Sequence, residues 1–208
     1  MAFQKQSMFQ LLGSQLLTYT LVIVGALALI APAVASKSAE SWYSRLTWSA
    51  YTLVNKTTFG PDLTSFIAKS QPVALSGDNN AATEVNLEVA YFPAFSCSAR
   101  VGLTINGGID DVVHEQLLAA EMPLEISVDN QALAFPYLAE TVESDSDTTT
   151  IQVYMDADFE LRSAAQILIE LGSQLTVEVA GQLAELSLRG SRDTITQVKK
   201  RCETAASQ

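Results

Sequence analysis

The stretch "LRGSRDTITQVKKRC", Leu188–Cys202, decides the fold. It reads as a terminal helix. Ser191 stands where a capping side chain is favoured, Asp193 lies in the first turn, and Lys199, Lys200 and Arg201 lie in the last, matching the helix dipole. Ile195, Val198 and Cys202 recur at i, i+3 and i+7, so the stripe that buries the helix also presents its cysteine. The only other cysteine, Cys97, sits in "AFSCSARVGLTIN" (Ala94–Asn106). There Phe95, Cys97, Ala99, Val101, Leu103 and Ile105 alternate onto one face of a predicted strand. Helix phase and strand alternation thus point both thiols inward. They predict a Cys97–Cys202 disulfide that pins the last helix to a central strand. Closing a loop of about a hundred residues contributes about 4–5 kcal/mol in the chain-entropy picture.

Working outward, "LTVEVAGQLAELSLRG" before this helix is a hairpin, with Leu175, Val177 and Val179 on one face and a turn at Ala180-Gly181-Gln182. "DADFELRSAAQILIELGSQ" is a second helix, capped by Asp158, with Leu161, Ala164, Ala165, Leu168 and Leu171 on its apolar face and Gly172 placed for the C′ position. "LEISV" and "ALAFPYL" flank an Asp129-Asn130 hairpin turn, and "TIQVYMD" is a strand. Upstream, "EVNLEVAYF" (Glu84–Phe92) alternates with period two, and "TWSAYTLVN" (Thr47–Asn55) is rich in aromatic and β-branched residues. "LTSFIAKS" (Leu63–Ser70) fits a strand or a short helix, and "VVHEQLLAAE" fits a strand end or a helical turn. "FGPD" and "SGDNNAAT" (Ser76–Thr83) are turn and loop. The predicted fold class is α+β: a mostly antiparallel, sandwich-like domain with two helices, at about 159–171 and 191–202. The predicted organisation is an N-terminal segment 1–35, a lead-in of mixed polarity at 36–47, one domain over 48–202 and a flexible tail at 203–208.

The N-terminal segment is a signal peptide or an uncleaved membrane anchor. Lys5 precedes an uncharged run from Leu16 to Ala35, and no acid occurs before Glu40. About 20 apolar residues would just span a bilayer. Pro32 followed by Ala33-Val34-Ala35 is the small-x-small pattern of a cleavage site and favours removal. Either way Ser36 onward is expected to be exported, to the periplasm or to the periplasmic face of an inner-membrane anchor. Two cysteines in an oxidising compartment pair. Of 12 Lys+Arg, removal of Lys5 leaves 11 against 23 Asp+Glu, a formal charge of −12. Such a surface repels nucleic acid and anionic headgroups. Membrane contact is therefore expected only through residues 11–35, if they are retained.

Chemistry-bearing patterns are sparse. His114, in "DDVVHEQ", is the one histidine, with Asp110, Asp111 and Glu115 beside it and no nucleophile motif to serve. One histidine and two distant cysteines make no zinc ligand set, and no C-x-x-C, phosphate loop or dinucleotide fingerprint is present. "ESDSD" offers Glu143, Asp145 and Asp147 at alternate positions, and "SGDNN" offers Asp78 and Asn79. The glycine and distal glutamate of a calcium loop are missing, so a solvated acidic loop is expected. No cofactor and no metal are expected. Trp42 and Tyr43, near the new N-terminus, are candidates for core packing or for a partner-binding patch.

The order "FSCSARVGL", a "VDN" turn, "AAQILIELGSQLTVEV", a strand ending "LSLRGS" and a terminal helix ending in cysteine resembles the small periplasmic type VI secretion-associated accessory family. It is more loosely similar to the invasion-associated locus B family. The resemblance spans Glu84–Cys202 and implies a Gram-negative envelope protein that acts by binding. The expectation is a non-enzymatic accessory factor with a protein partner in the envelope. The alternative is an acidic inhibitor that presents Glu143, Asp145 and Asp147 to a cationic hydrolase site. A carboxylate-based hydrolase is the least supported reading.

Overall fold

The computed structural model of the chain describes residues 34–57, 62–76, 83–121, 124–133, 136–144 and 148–208. The 1–33 part of the signal or anchor segment, most of the "FGPD" turn and most of the Ser76–Thr83 loop lie outside the described residues.

In chain order the elements are β1 (Val34–Arg45), β2 (Trp48–Thr57), β3 (Leu63–Ser70), β4 (Val73–Ala74), β5 (Glu84–Tyr91), β6 (Ala99–Gly107), α1 (Asp111–Leu118), β7 (Glu125–Val128), β8 (Gln131–Ala132), β9 (Tyr137–Ser144), β10 (Thr149–Met155), α2 (Phe159–Leu171), β11 (Gln174–Val179), β12 (Gln182–Ser187) and α3 (Ser191–Ala206). They build an α+β domain. The large sheet runs β1-β2-β3-β5-β6-β10-β9, with β4 paired beside β5, and the small sheet runs β12-β11-β7-β8. Every pairing is antiparallel. Leu87, Leu103 and Val153 of the large sheet, Ile126, Leu175 and Val177 of the small one, and Ile169, Ile195 and Val198 of the helices form one buried cluster. The alternation read in β5 and β11 is that of the inward-facing residues.

Several local signals do what the sequence predicts. The Asp158 carboxylate accepts the Leu161 N–H at 2.8 Å and caps α2. Asp129 and Asn130 both take positive φ (48° and 67°), as a two-residue hairpin turn of this twist requires. Ala180 and Gly181 do the same at the β11–β12 turn. Cys97 and Cys202 are joined in a disulfide, with Cα atoms 5.9 Å apart, and both are buried. This bond fits an oxidising, exported environment. Among the described residues, no helix is long and apolar enough to cross a membrane.

Other expectations are corrected. The segment 36–47 is largely strand β1, paired with β2 from Ser36↔Lys56 to Arg45↔Trp48. It lies at the sheet edge, which explains its mixed polarity. Of the two forms that Leu63–Ser70 fits, the strand is the one found. "DVVHEQLL" is a helix, started by the Asp110 carboxylate, which accepts the Val112 N–H at 2.9 Å, so the described residues hold three α-helices rather than two. Cys97 is not on a strand. Pro93–Phe95 forms a 3-10 turn, Ser96 and Cys97 both have φ 53°, and β6 starts only at Ala99. Turn geometry rather than alternation buries the thiol, and Phe95, expected beside it, is exposed. "ALAFPYL" is not one hairpin strand: β8 has two residues, and Tyr137 opens β9 in the other sheet.

The helices shift too. On α2 the buried residues are Ala165 and Ile169, whereas Leu161 and Leu171 are exposed. Gly172 is extended (φ −75°, ψ 166°), not left-handed; a Cβ there would run into the Val128 side chain, so close approach is what requires glycine. On α3 the N-cap position belongs to Gly190, at φ 94°. Ser191 is the first helical residue and donates its hydroxyl to the Ile169 carbonyl at 2.8 Å, tying α3 to α2. The helix continues through Ala206, so Lys199, Lys200 and Arg201 lie before its last turn.

Candidate functional site

The β1–β2 hairpin is held against the start of α3. The Trp48 indole N–H donates to the Ser187 carbonyl at 3.2 Å, and the Thr47 hydroxyl reaches the Arg189 carbonyl at 3.2 Å. Within β1 the register shifts between Ser41, opposite Tyr51, and Tyr43, opposite Ala50. Trp42 is the extra residue. Strict alternation would send Trp42 and Tyr43 to opposite faces, but this bulge lets both pack against the core. Their ring centroids are 6.3 Å apart.

Beyond Trp42, a groove of about 480 Å³ opens between α3 and the inner face of β1–β3. Trp42, Thr52 and Phe66 form its floor; Gln197, Lys200 and Arg201 stand on the helix side, followed by Thr204, Ala205 and Gln208. The Arg201 guanidinium lies 4.3 Å from the centre of the Trp42 ring, a cation–π contact that covers one face of the indole. Neither Lys200 nor Arg201 has a carboxylate within ion-pair distance among the described residues. No Asp or Glu side chain lines the groove.

Four buried side-chain polar atoms among the described residues have no hydrogen-bond partner in the protein: Trp42 Nε1, Thr52 Oγ1, Asn86 Oδ1 and Tyr91 Oη. Two of them, Trp42 Nε1 and Thr52 Oγ1, belong to residues of this groove. An unpaired buried polar group costs about 1–3 kcal/mol. The exposed Lys200 and Arg201 make the accessible rim of the groove rich in donors, with the Trp42 N–H and the Thr52 hydroxyl buried beside it.

The other polar cluster is internally satisfied. On the outer face of the large sheet, the Glu88 carboxylate accepts Lys69 Nζ at 2.6 Å and Thr104 Oγ1 at 2.7 Å. Arg100 lies over the Tyr154 ring at 3.4 Å. Burial pushes the Tyr154 phenol well above its ordinary range, with Arg100 opposing the shift and Glu140 adding to it. This is cross-strand bracing.

His114, on α1, has Nε2 2.8 Å from Thr141 Oγ1, and Asp110 is engaged in capping its helix. Among the described residues no group of three or more His, Cys, Asp or Glu side chains could hold a metal ion. Glu143 belongs to β9, its backbone opposite Thr150, whereas Asp145, Asp147, Asp78 and Asn79 lie outside the described residues. The structure therefore brings Trp42 together with Thr52, Phe66, Lys200 and Arg201, which the sequence did not single out as a site. The signal for them was faint. Thr52 shares a strand face with Trp48 and Ala50, and the basic triplet read as complementing the helix end. Comparison with protein-family models, curated proteins and solved structures finds no match for this chain.

Proposed function

We propose that this chain is an exported, non-enzymatic protein of the bacterial envelope that acts by binding a partner protein. The periplasm is its compartment, and a secretion system is the setting suggested by the resemblance of its second half to the type VI secretion-associated accessory family. One observation supports the reading most: a groove lined by the exposed Lys200 and Arg201, neither of them in an ion pair among the described residues, beside the partly buried Trp42. The groove can hold a ligand, and its lining includes neither a nucleophile–base pair nor a pair of carboxylates for hydrolysis. The disulfide supports export.

The test is affinity capture of the C-terminally tagged full chain from cross-linked native cells, at low and high salt. Intact mass is then read with and without reductant. The expected result is an envelope protein retained at both salts, on a chain that begins at Ser36 and gains two hydrogens on reduction. Recovery of a cationic hydrolase only at low salt would replace this reading with the inhibitor, and no partner at either salt would defeat both.

A further inference from the structure

We infer that the Trp42 groove takes an extended acidic peptide segment of the partner. This rests on the binding reading above and adds the chemistry of what is bound. Three features carry it. The first is sign. The chain as a whole has a formal charge of −11, yet every charged side chain lining the groove is cationic. The exposed Lys200 and Arg201 can only donate hydrogen bonds, so their natural complement is a carboxylate.

The second is length. Gln197, Lys200, Arg201 and Thr204 fall on one side of α3 over about two turns, roughly 10 Å at the α-helical rise, and Gln208 continues the lining past the helix end at Ala206. An extended strand of about three residues covers the helical part, and a longer one reaches Gln208. The amides of Gln197 and Gln208 can serve both the N–H and the C=O groups of such a backbone. A lone oxyanion would use only Lys200 and Arg201, in the middle of this row.

The third is the state of the aromatic ring. Arg201 occupies a face of Trp42, and that removes a platform on which a sugar or a base would stack. It also holds the guanidinium in place, so less side-chain freedom is lost when a carboxylate arrives. Repulsion from the acidic body is screened beyond about 8 Å at physiological ionic strength, whereas contact pairs inside the groove are screened less. A short acidic segment can therefore bind where a long polyanion is repelled.

The fold supplies the reporter for a test. Of the two tryptophans, Trp48 is fully buried with its N–H bonded, so ligand-dependent changes in fluorescence report Trp42. The disulfide-intact full chain is titrated with an oligoglutamate peptide, an oligoglutamine peptide of equal length, inorganic phosphate and vesicles of anionic lipid. The expected result is saturable quenching by oligoglutamate alone, weakened about tenfold or more in the double variant Lys200→Glu/Arg201→Glu. Both side chains are exposed, so the variant still folds, its melting temperature lowered by no more than the lost Arg201–Trp42 contact, and near-ultraviolet circular dichroism checks the fold. Equal binding of oligoglutamine, indifference to charge reversal, or saturation by phosphate or vesicles at the same affinity would overturn the peptide assignment. Partner capture from cells separates the two levels. If the charge-reversed chain still captures the partner, the binding reading stands and this groove is not where it occurs.

Discussion

Tyr91 carries a fully buried hydroxyl that the fold leaves without a partner. Burial pushes its phenol far above the ordinary value of about 10, and the carboxylates of Glu170 and Glu203 push it further. Tyr91→Phe removes an unpaired polar group and keeps the ring. It is expected to raise the unfolding free energy by about 1 kcal/mol, read as a higher urea midpoint at unchanged m-value. The sign of the pH dependence follows. Unfolded tyrosine releases its proton near pH 10 while the native residue still holds its own, so this share of stability is present below pH 10 and lost as pH rises above it. Phenylalanine cannot lose it, and the advantage of the variant should widen above pH 10. A variant less stable than the parent at neutral pH would mean that the hydroxyl has a partner in solution.

The turn between β7 and β8 does more than reverse the chain. The Asp129 carboxylate accepts the Ser173 and Gln174 N–H groups at 2.9 and 3.0 Å, fixing the start of β11 to the neighbouring hairpin. Asp129→Ala removes both bonds and leaves an alanine at φ 48°. A loss of about 2 kcal/mol is expected, with Asp129→Asn costing less because it keeps an acceptor and tolerates this backbone. Equal losses from the two variants, measured in urea, would show that the charge and not the turn geometry matters. Elements like this one were legible because their causes are local: Asp129-Asn130, the Asp158 cap and the Ala180-Gly181 turn each act within a few residues. What was not legible depends on neighbours distant in sequence. β1 has the composition of a lead-in because, among the described residues, only β2 pairs with it. The bulge at Trp42 is a property of two strands in register, and the phase of α2 is set by what Ala165 and Ile169 meet. For the same reason the aromatics at 42 and 43 stood out in the sequence, while Thr52, Phe66, Lys200 and Arg201 did not. They become one surface only when α3 crosses β1, β2 and β3.

At the scale of the molecule, the Cys97–Cys202 bond links residues 105 apart and joins α3 to the turn before β6. Helix α3 also closes the inner face over β2 and β3, burying Ile195 and Val198. The covalent tie therefore constrains the unfolded chain and restrains, in the folded one, the helix that carries Lys200 and Arg201. Loop closure of about this length is worth about 4–5 kcal/mol. For a chain of this size that corresponds to about 10–15 °C in melting temperature. The double variant Cys97→Ala/Cys202→Ala should melt lower by that amount, and it should do so equally with or without reductant. The effect on the groove should differ in kind. Arg201 precedes Cys202 by one residue, so a fraying α3 withdraws the guanidinium from the Trp42 ring before the core is lost. Trp42 fluorescence is then expected to change at temperatures where near-ultraviolet circular dichroism still reports an intact fold, and only in the variant. If both signals change together, α3 and the sheet unfold as one unit. The disulfide then acts through the unfolded chain alone.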